Sequence, residues 1–124
     1  MQKLRQLNDE DCFITSVACI TELDRSELPQ IVPTNVPNDI EGVWTEWGDE
    51  YGYAFDIYSD DPGGLSVALL KVEGEWAHEQ TKKYGTDYIV HAVVWHSGLY
   101  WDPYRGVTDW FGDVDKFVKI ERAR

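Results

Sequence analysis

Cations are scarce in this chain: 11 lysines and arginines stand against 23 aspartates and glutamates, a formal net charge of −12. A field of that sign repels nucleic-acid phosphates and anionic lipid surfaces, so it argues against direct binding to either and favours basic or neutral protein or peptide partners. Cysteine is scarcer still. Cys12 and Cys19 lie on what reads as one helix, about 10 Å apart by helical rise, too far to bridge each other. Two unpaired thiols suit a reducing compartment, and a cytoplasmic protein is expected. No apolar run approaches the roughly 20 residues of a membrane span, and MQKLRQLNDED at the N-terminus lacks the apolar core of a signal peptide. No Cys-x2-Cys or His-x3-His spacing points to zinc, and neither metal nor cofactor is expected.

What the chain does have is apolar and aromatic content. Hydrophobic residues make up 43% of its 124 positions and aromatics 14%, six of them tryptophan. That suffices for one domain over residues 1–124 with about two thirds of its unfolded surface buried. The organising stretch is QLNDEDCFITSVACITEL, Gln6 to Leu23. Its head, Asn8-Asp9-Glu10-Asp11, offers several N-caps, and an apolar helical segment follows at once. Phe13, Ile14, Val17, Ala18, Ile20 and Leu23 cover most of the helix circumference, leaving Thr15 and Glu22 as a narrow polar strip. A helix of that kind is buried. Cys12 falls in its first turn, where unpaired backbone N–H groups and the helix dipole favour a thiolate.

Further along, Ser26-Glu27-Leu28-Pro29 can form a short helical turn, and Val32 to Asn38 is a proline-punctuated loop. Ile40, Val43, Trp44, Trp47 and Tyr51 keep helical spacing from about Asp39 to Tyr51, with Asn38 or Asp39 as cap and Gly52 in the C′ position; both tryptophans read as core. Tyr53 to Tyr58 alternates like a strand and ends in the turn Ser59 to Gly64, and Leu65 to Val72 is short and apolar enough for a buried strand. Gly74 to Gly85 reads as loop or irregular helix. Phe117, Val118 and Ile120 suggest a short final strand before a charged tail.

Between these lies a hairpin. Tyr88 to Trp95 is rich in β-formers, Ser97-Gly98 is a turn dipeptide and Leu99 to Asp102 returns. With a two-residue loop, His96 pairs with Leu99, Trp95 with Tyr100 and Val93 with Asp102. Alternation then puts His91, Val93, Trp95, Tyr100, Asp102 and Tyr104 on one face, with His91 and Asp102 as diagonal neighbours within reach of an imidazole–carboxylate hydrogen bond. Pro103 donates no ladder bond, so pairing should weaken there. His96 falls on the opposite face, and His78 sits in a polar stretch that reads as surface.

A thiol hydrolase needs a thiolate, an imidazole to shuttle protons, a group to orient that imidazole, and oxyanion donors. Cys12, His91 and Asp102 are candidates for the first three. The backbone N–H of Cys12 and the side-chain amide of Gln6, on the entering loop, are candidates for the fourth.

These residues resemble the papain-like cysteine hydrolases, particularly small phage and bacterial members and C39-like peptidases. The likeness is carried by Gln6 with its five-residue gap to Cys12, Asp11-Cys12, the His-Ala-Val-Val-Trp strand from His91, and Tyr100-Trp101-Asp102-Pro103. It implies a papain-like α+β fold, a buried N-terminal helix on an antiparallel sheet, with Cys12 as nucleophile, His91 as base, Asp102 as orienter and Gln6 as oxyanion donor. It implies also that Tyr104 shields the His–Asp bond. The reaction implied is cleavage of a peptide, isopeptide or amide bond without a cofactor. The alternative is a silent papain-like domain acting as an acidic protein-binding module or inhibitor, a nucleic-acid mimic, if Asp9, Glu10, Asp11, Asp49, Glu50, Asp60, Asp61, Asp113 and Asp115 gather on one surface.

Overall fold

Alternating burial along Tyr53–Tyr58 and the largely apolar stretch Leu65–Val72 become the strands β1 and β2 of a five-stranded antiparallel sheet. The others are β3 (Ile89–His96), β4 (Leu99–Trp101) and β5 (Val114–Arg122), in the spatial order β1-β5-β2-β3-β4. Ahead of them come α1 (Cys12–Thr21), a 3-10 turn (Arg25–Glu27), and a π-helical turn (Ile40–Trp44) that runs into α2 (Thr45–Tyr51). The computed structural model describes residues 4, 12–30, 40–72, 79, 82–83, 89–96, 98–103 and 114–123. The architecture is α+β, with the N-terminal helix packed on the sheet. Among the described residues no helix is long and apolar enough to cross a membrane.

Helix α1 is buried from Phe13 to Cys19, as its nearly all-round apolar surface requires. It packs with Val67, Leu69, Ala92, Val118 and Ile120 on one sheet face, and with Trp44, Trp47 and Phe55. Two details depart from the sequence reading. Thr15, expected on a polar strip, is fully buried, and its hydroxyl accepts from Arg25 Nε at 3.3 Å. The helix also ends at Thr21, two residues short of Leu23. The Thr21 hydroxyl donates back to the Val17 carbonyl at 2.8 Å and accepts from Leu23 N–H at 3.3 Å, so a side chain takes over groups that another helical turn would use. Glu22 then turns left-handed at φ 61°. Asp24 caps the 3-10 turn, accepting from Ser26 N–H at 2.9 Å, and Glu27 returns a bond to the Asp24 backbone.

Trp44 in the π turn and Trp47 in α2 are core, as expected: Trp44 is fully buried and Trp47 nearly so. Trp44 meets Phe13 edge to face at 4.8 Å, and Trp47 stacks on Tyr53 at 5.8 Å. Val43 and Tyr51, assigned by spacing to the same face, are exposed. Val43 lies about 100° round the helix from Trp44, on the rim of the buried stripe. The Trp44 indole N–H has no hydrogen-bond partner among the described residues; we have no physical account of it.

Gly48 faces β1 so closely that an added Cβ would run into the Tyr53 carbonyl oxygen and approach Phe55 Cδ2 to 2.9 Å. Glycine to alanine inside a helix ordinarily stabilises by about 1 kcal/mol. Here Gly48→Ala is expected to destabilise by about 2 kcal/mol, because a backbone oxygen cannot yield as a side chain would. Urea denaturation decides the sign, and a stabilised variant would mean that α2 does not seat on β1 at this point.

Strand β5 corrects the sequence reading. It is nine residues long, continues through Arg122 where a charged tail was expected, and lies between β1 and β2. Tyr53 pairs with Arg122 and Val67 with Val118. Backbone pairing with β1 holds Glu121 and Arg122 in the ladder although their side chains are exposed. The other sheet face carries a second cluster of Ala68, Leu70, Val93 and Phe117, flanked by Trp95, Tyr100 and Val114.

Candidate functional site

The β3–β4 hairpin has the register expected of a two-residue loop: His96 opposite Leu99, Trp95 opposite Tyr100 and Val94 opposite Trp101. Gly98 adopts φ 90°, which a side chain would resist. The ladder stops at Trp101, ahead of Pro103, and Asp102 is the first residue beyond it. His91 lies within β3, three residues beyond the last residue paired with β4 and opposite Leu70 of β2, on the Val93 side by alternation.

From there the ring reaches two groups. His91 Nε2 lies 2.7 Å from Asp102 Oδ1, and the Cys12 side chain at the head of α1 is near enough to act on the ring's pKa. The side chains of His91 and Asp102 are only 15% and 3% exposed. A buried carboxylate must find donors, and the imidazole supplies one. Burial by itself drives the His91 pKa down. The hydrogen bonds to Asp102 and Cys12, with the negative charge of both, outweigh it and push the value up to about 10. At neutral pH the ring therefore carries both protons. Nε2–H donates to Asp102, which leaves Nδ1–H as the donor that the ring geometry offers to Cys12 Sγ.

Three of the four residues singled out in the sequence thus meet: Cys12, His91 and Asp102. Gln6 lies outside the described residues, as do Tyr104, His78, Asn38, the Asp9–Asp11 run and Asp113. Cys12 is half-buried and Cys19 fully buried, both as free thiols. Burial pushes the Cys19 thiol pKa up, against the smaller opposing effect of the Leu4 backbone. His96 is exposed at the hairpin end. Among the described residues no three or more His, Cys, Asp or Glu side chains are grouped to hold a metal ion.

Several contacts that frame the site had no signal in the sequence. Trp101 Nε1 donates to the Leu4 carbonyl at 2.9 Å across 97 positions. Trp95 Nε1 donates to Asp61 Oδ2 at 2.9 Å, and its ring stacks on Tyr100 at 6.2 Å. Ser16 Oγ donates to the Ala92 carbonyl at 3.5 Å, tying α1 to β3 next to His91. Such side-chain bonds between distant segments follow no periodicity, and only the assembled sheet reveals them. Compared with protein-family models, with curated proteins and with solved structures, the chain matches none of them, so what it does must be argued from this geometry.

Proposed function

We propose that this protein is a thiol hydrolase of papain-like arrangement, cleaving a peptide, isopeptide or amide bond with Cys12 as nucleophile. The observation that carries the reading is the buried imidazole of His91, hydrogen-bonded to Asp102 and close enough to Cys12 for the sulfur to raise its pKa. An imidazolium held between a carboxylate and a sulfur is the resting state such chemistry needs.

In the reaction the Cys12 thiolate attacks the carbonyl carbon, forming a C–S bond as the C=O π electrons move onto oxygen. The tetrahedral species collapses, the C–N bond breaks, and the leaving nitrogen takes the Nδ1 proton of His91. Neutral His91 then accepts a proton from water as its oxygen attacks the thioester. The C–S bond breaks, releasing a carboxylic acid product and restoring the thiolate–imidazolium pair. Asp102 keeps the ring in the required orientation throughout and favours its charged form.

Support for an acidic docking surface is weaker. Asp49 and Glu50 end α2, while Asp60 and Asp61 lie in the β1–β2 turn. The two groups are separated by the length of β1, roughly 17 Å at strand rise. Asp61 accepts from Trp95 Nε1 and Gly63 N–H, and Asp115 lies 3.6 Å from Lys71 Nζ.

Iodoacetamide labelling tests the thiol–imidazole pair. At pH 7 Cys12 is expected to react at least about tenfold faster than a cysteine in a short peptide, and His91→Ala to remove that advantage. Fully buried Cys19 should react only on unfolding. A Cys12 rate indifferent to His91→Ala in a folded protein would make the thiol structural and sink the hydrolase reading.

A further inference from the structure

The β3–β4 ladder cannot supply a donor to one carbonyl beside His91, and α1 supplies it with a hydroxyl. His96 and Leu99 close a two-residue loop, so that pair exchanges both backbone hydrogen bonds, and so does Val94 with Trp101 two residues on. In the same register the next such pair would be Ala92 with residue 103, whose N–H would donate to the Ala92 carbonyl. Residue 103 is a proline and has no N–H. Ser16 Oγ takes that place, donating to the Ala92 carbonyl at 3.5 Å. Both residues are buried, Ser16 completely, and a buried carbonyl needs a donor.

We propose that Ser16 is a positioning residue that sets the spacing between Cys12 and His91. This inference rests on the hydrolase reading. Cys12 and Ser16 lie about one turn apart on the same side of α1, and Ala92 adjoins His91 in β3. The hydroxyl thereby ties the side of the helix that carries the sulfur to the strand residue next to the imidazole. Apolar contacts of α1 with Val67, Leu69 and Ala92 press the helix onto the sheet, but such contacts are non-directional. A hydrogen bond selects one placement of the helix along β3. At 3.5 Å the bond is long, so its contribution is placement and not strength. The same proline ends pairing at Trp101, so Asp102 stands outside the ladder with its carboxylate 2.7 Å from His91 Nε2.

Ser16→Ala removes the hydroxyl and leaves Cys12, His91 and Asp102 in the chain. In the folded variant at pH 7, iodoacetamide is expected to alkylate Cys12 at least about fivefold more slowly than in wild type, because a sulfur displaced from the imidazolium behaves as an ordinary thiol. Turnover of p-nitrophenyl acetate should fall at least about tenfold at nearly constant KM, since misplacing reacting groups by about 1 Å costs on the order of 100-fold. Thr21→Ala controls for helix stability, because it removes an α1 hydroxyl that bonds to Val17 within the same helix. Its alkylation rate should stay within about twofold of wild type, as should that of Ser16→Thr, which keeps the hydroxyl. A Ser16→Ala protein that loses stability to urea but alkylates as fast as a fast wild type would overturn the Ser16 proposal alone. Equal slowing by Thr21→Ala would overturn it too, as would a folded Ser16→Thr protein as slow as Ser16→Ala. Where Ser16→Ala does not fold, a folded Ser16→Thr protein slower than wild type by more than about fivefold overturns it. A wild-type Cys12 no faster than a peptide cysteine would reject the hydrolase reading, and the positioning role of Ser16 with it.

Discussion

Cys12→Ala is expected to abolish turnover of an acyl substrate such as p-nitrophenyl acetate, by at least about 10⁴-fold, while leaving the fold intact. The sulfur is the only atom that Cys12→Ala removes, and the residue is half-buried at a helix head, outside the tightly packed Phe13–Cys19 run. Removing one sulfur from such a place should cost no more than about 1 kcal/mol by urea denaturation. The same substitution separates the two classes of function. An acidic binding module would keep its effect without Cys12 and lose it when Asp60 and Asp61 are reversed to lysine, with a dependence that fades as salt rises. Turnover that survives Cys12→Ala in folded protein would reject the thiol as nucleophile.

Much of the fold was legible because local rules and burial agree. The apolar periodicity of Phe13 to Ile20 has one solution, a buried helix, and α1 is buried from Phe13 to Cys19. The hairpin register was legible as far as Trp101, since Ser97-Gly98 fixes loop length and loop length fixes register, but the expected pairing of Val93 with Asp102 does not form. From that register, alternation was enough to bring His91 and Asp102 together, and their 2.7 Å separation follows. The long reach of β5 was not legible. Its last residues are charged, and what keeps them extended is pairing with β1, some 65 residues earlier in the chain. Thr15 and Thr21 misled for a related reason. A hydroxyl is polar on any scale, yet each finds its partner locally or in Arg25, and so can be buried or end a helix. The bond from Trp101 to the Leu4 carbonyl was invisible because no local pattern links residues 97 positions apart.

Asp102→Ala should have the second-largest effect, and its pH dependence reports on the cluster directly. In the wild-type protein the His91 ring is expected to titrate at about 10, followed by NMR of its Cε1–H signal. Removing the carboxylate leaves burial as the dominant influence, opposed only by Cys12, so the His91 pKa should fall. Turnover at neutral pH should drop by roughly 10³–10⁴-fold, as when an orienting carboxylate is lost from a nucleophile–histidine pair. Any remaining activity should lose its alkaline side at a lower pH than the wild type, because the imidazolium needed to protonate the leaving group disappears sooner. Asp102→Asn should be milder, since its amide oxygen can still accept from Nε2–H and hold the ring. Stability follows with a definite sign. The folded value lies above the ordinary 6.5, so protonated His91 stabilises the fold fully below pH 6.5, and that contribution drains away as pH rises towards 10. Asp102→Ala should therefore be most destabilising relative to wild type in mildly acidic to neutral solution, with the difference narrowing by pH 10. An Asp102→Ala protein whose His91 still titrates near 10 would show that Cys12 alone holds the proton, and Asp102 would then be a packing residue and not the orienter of the site.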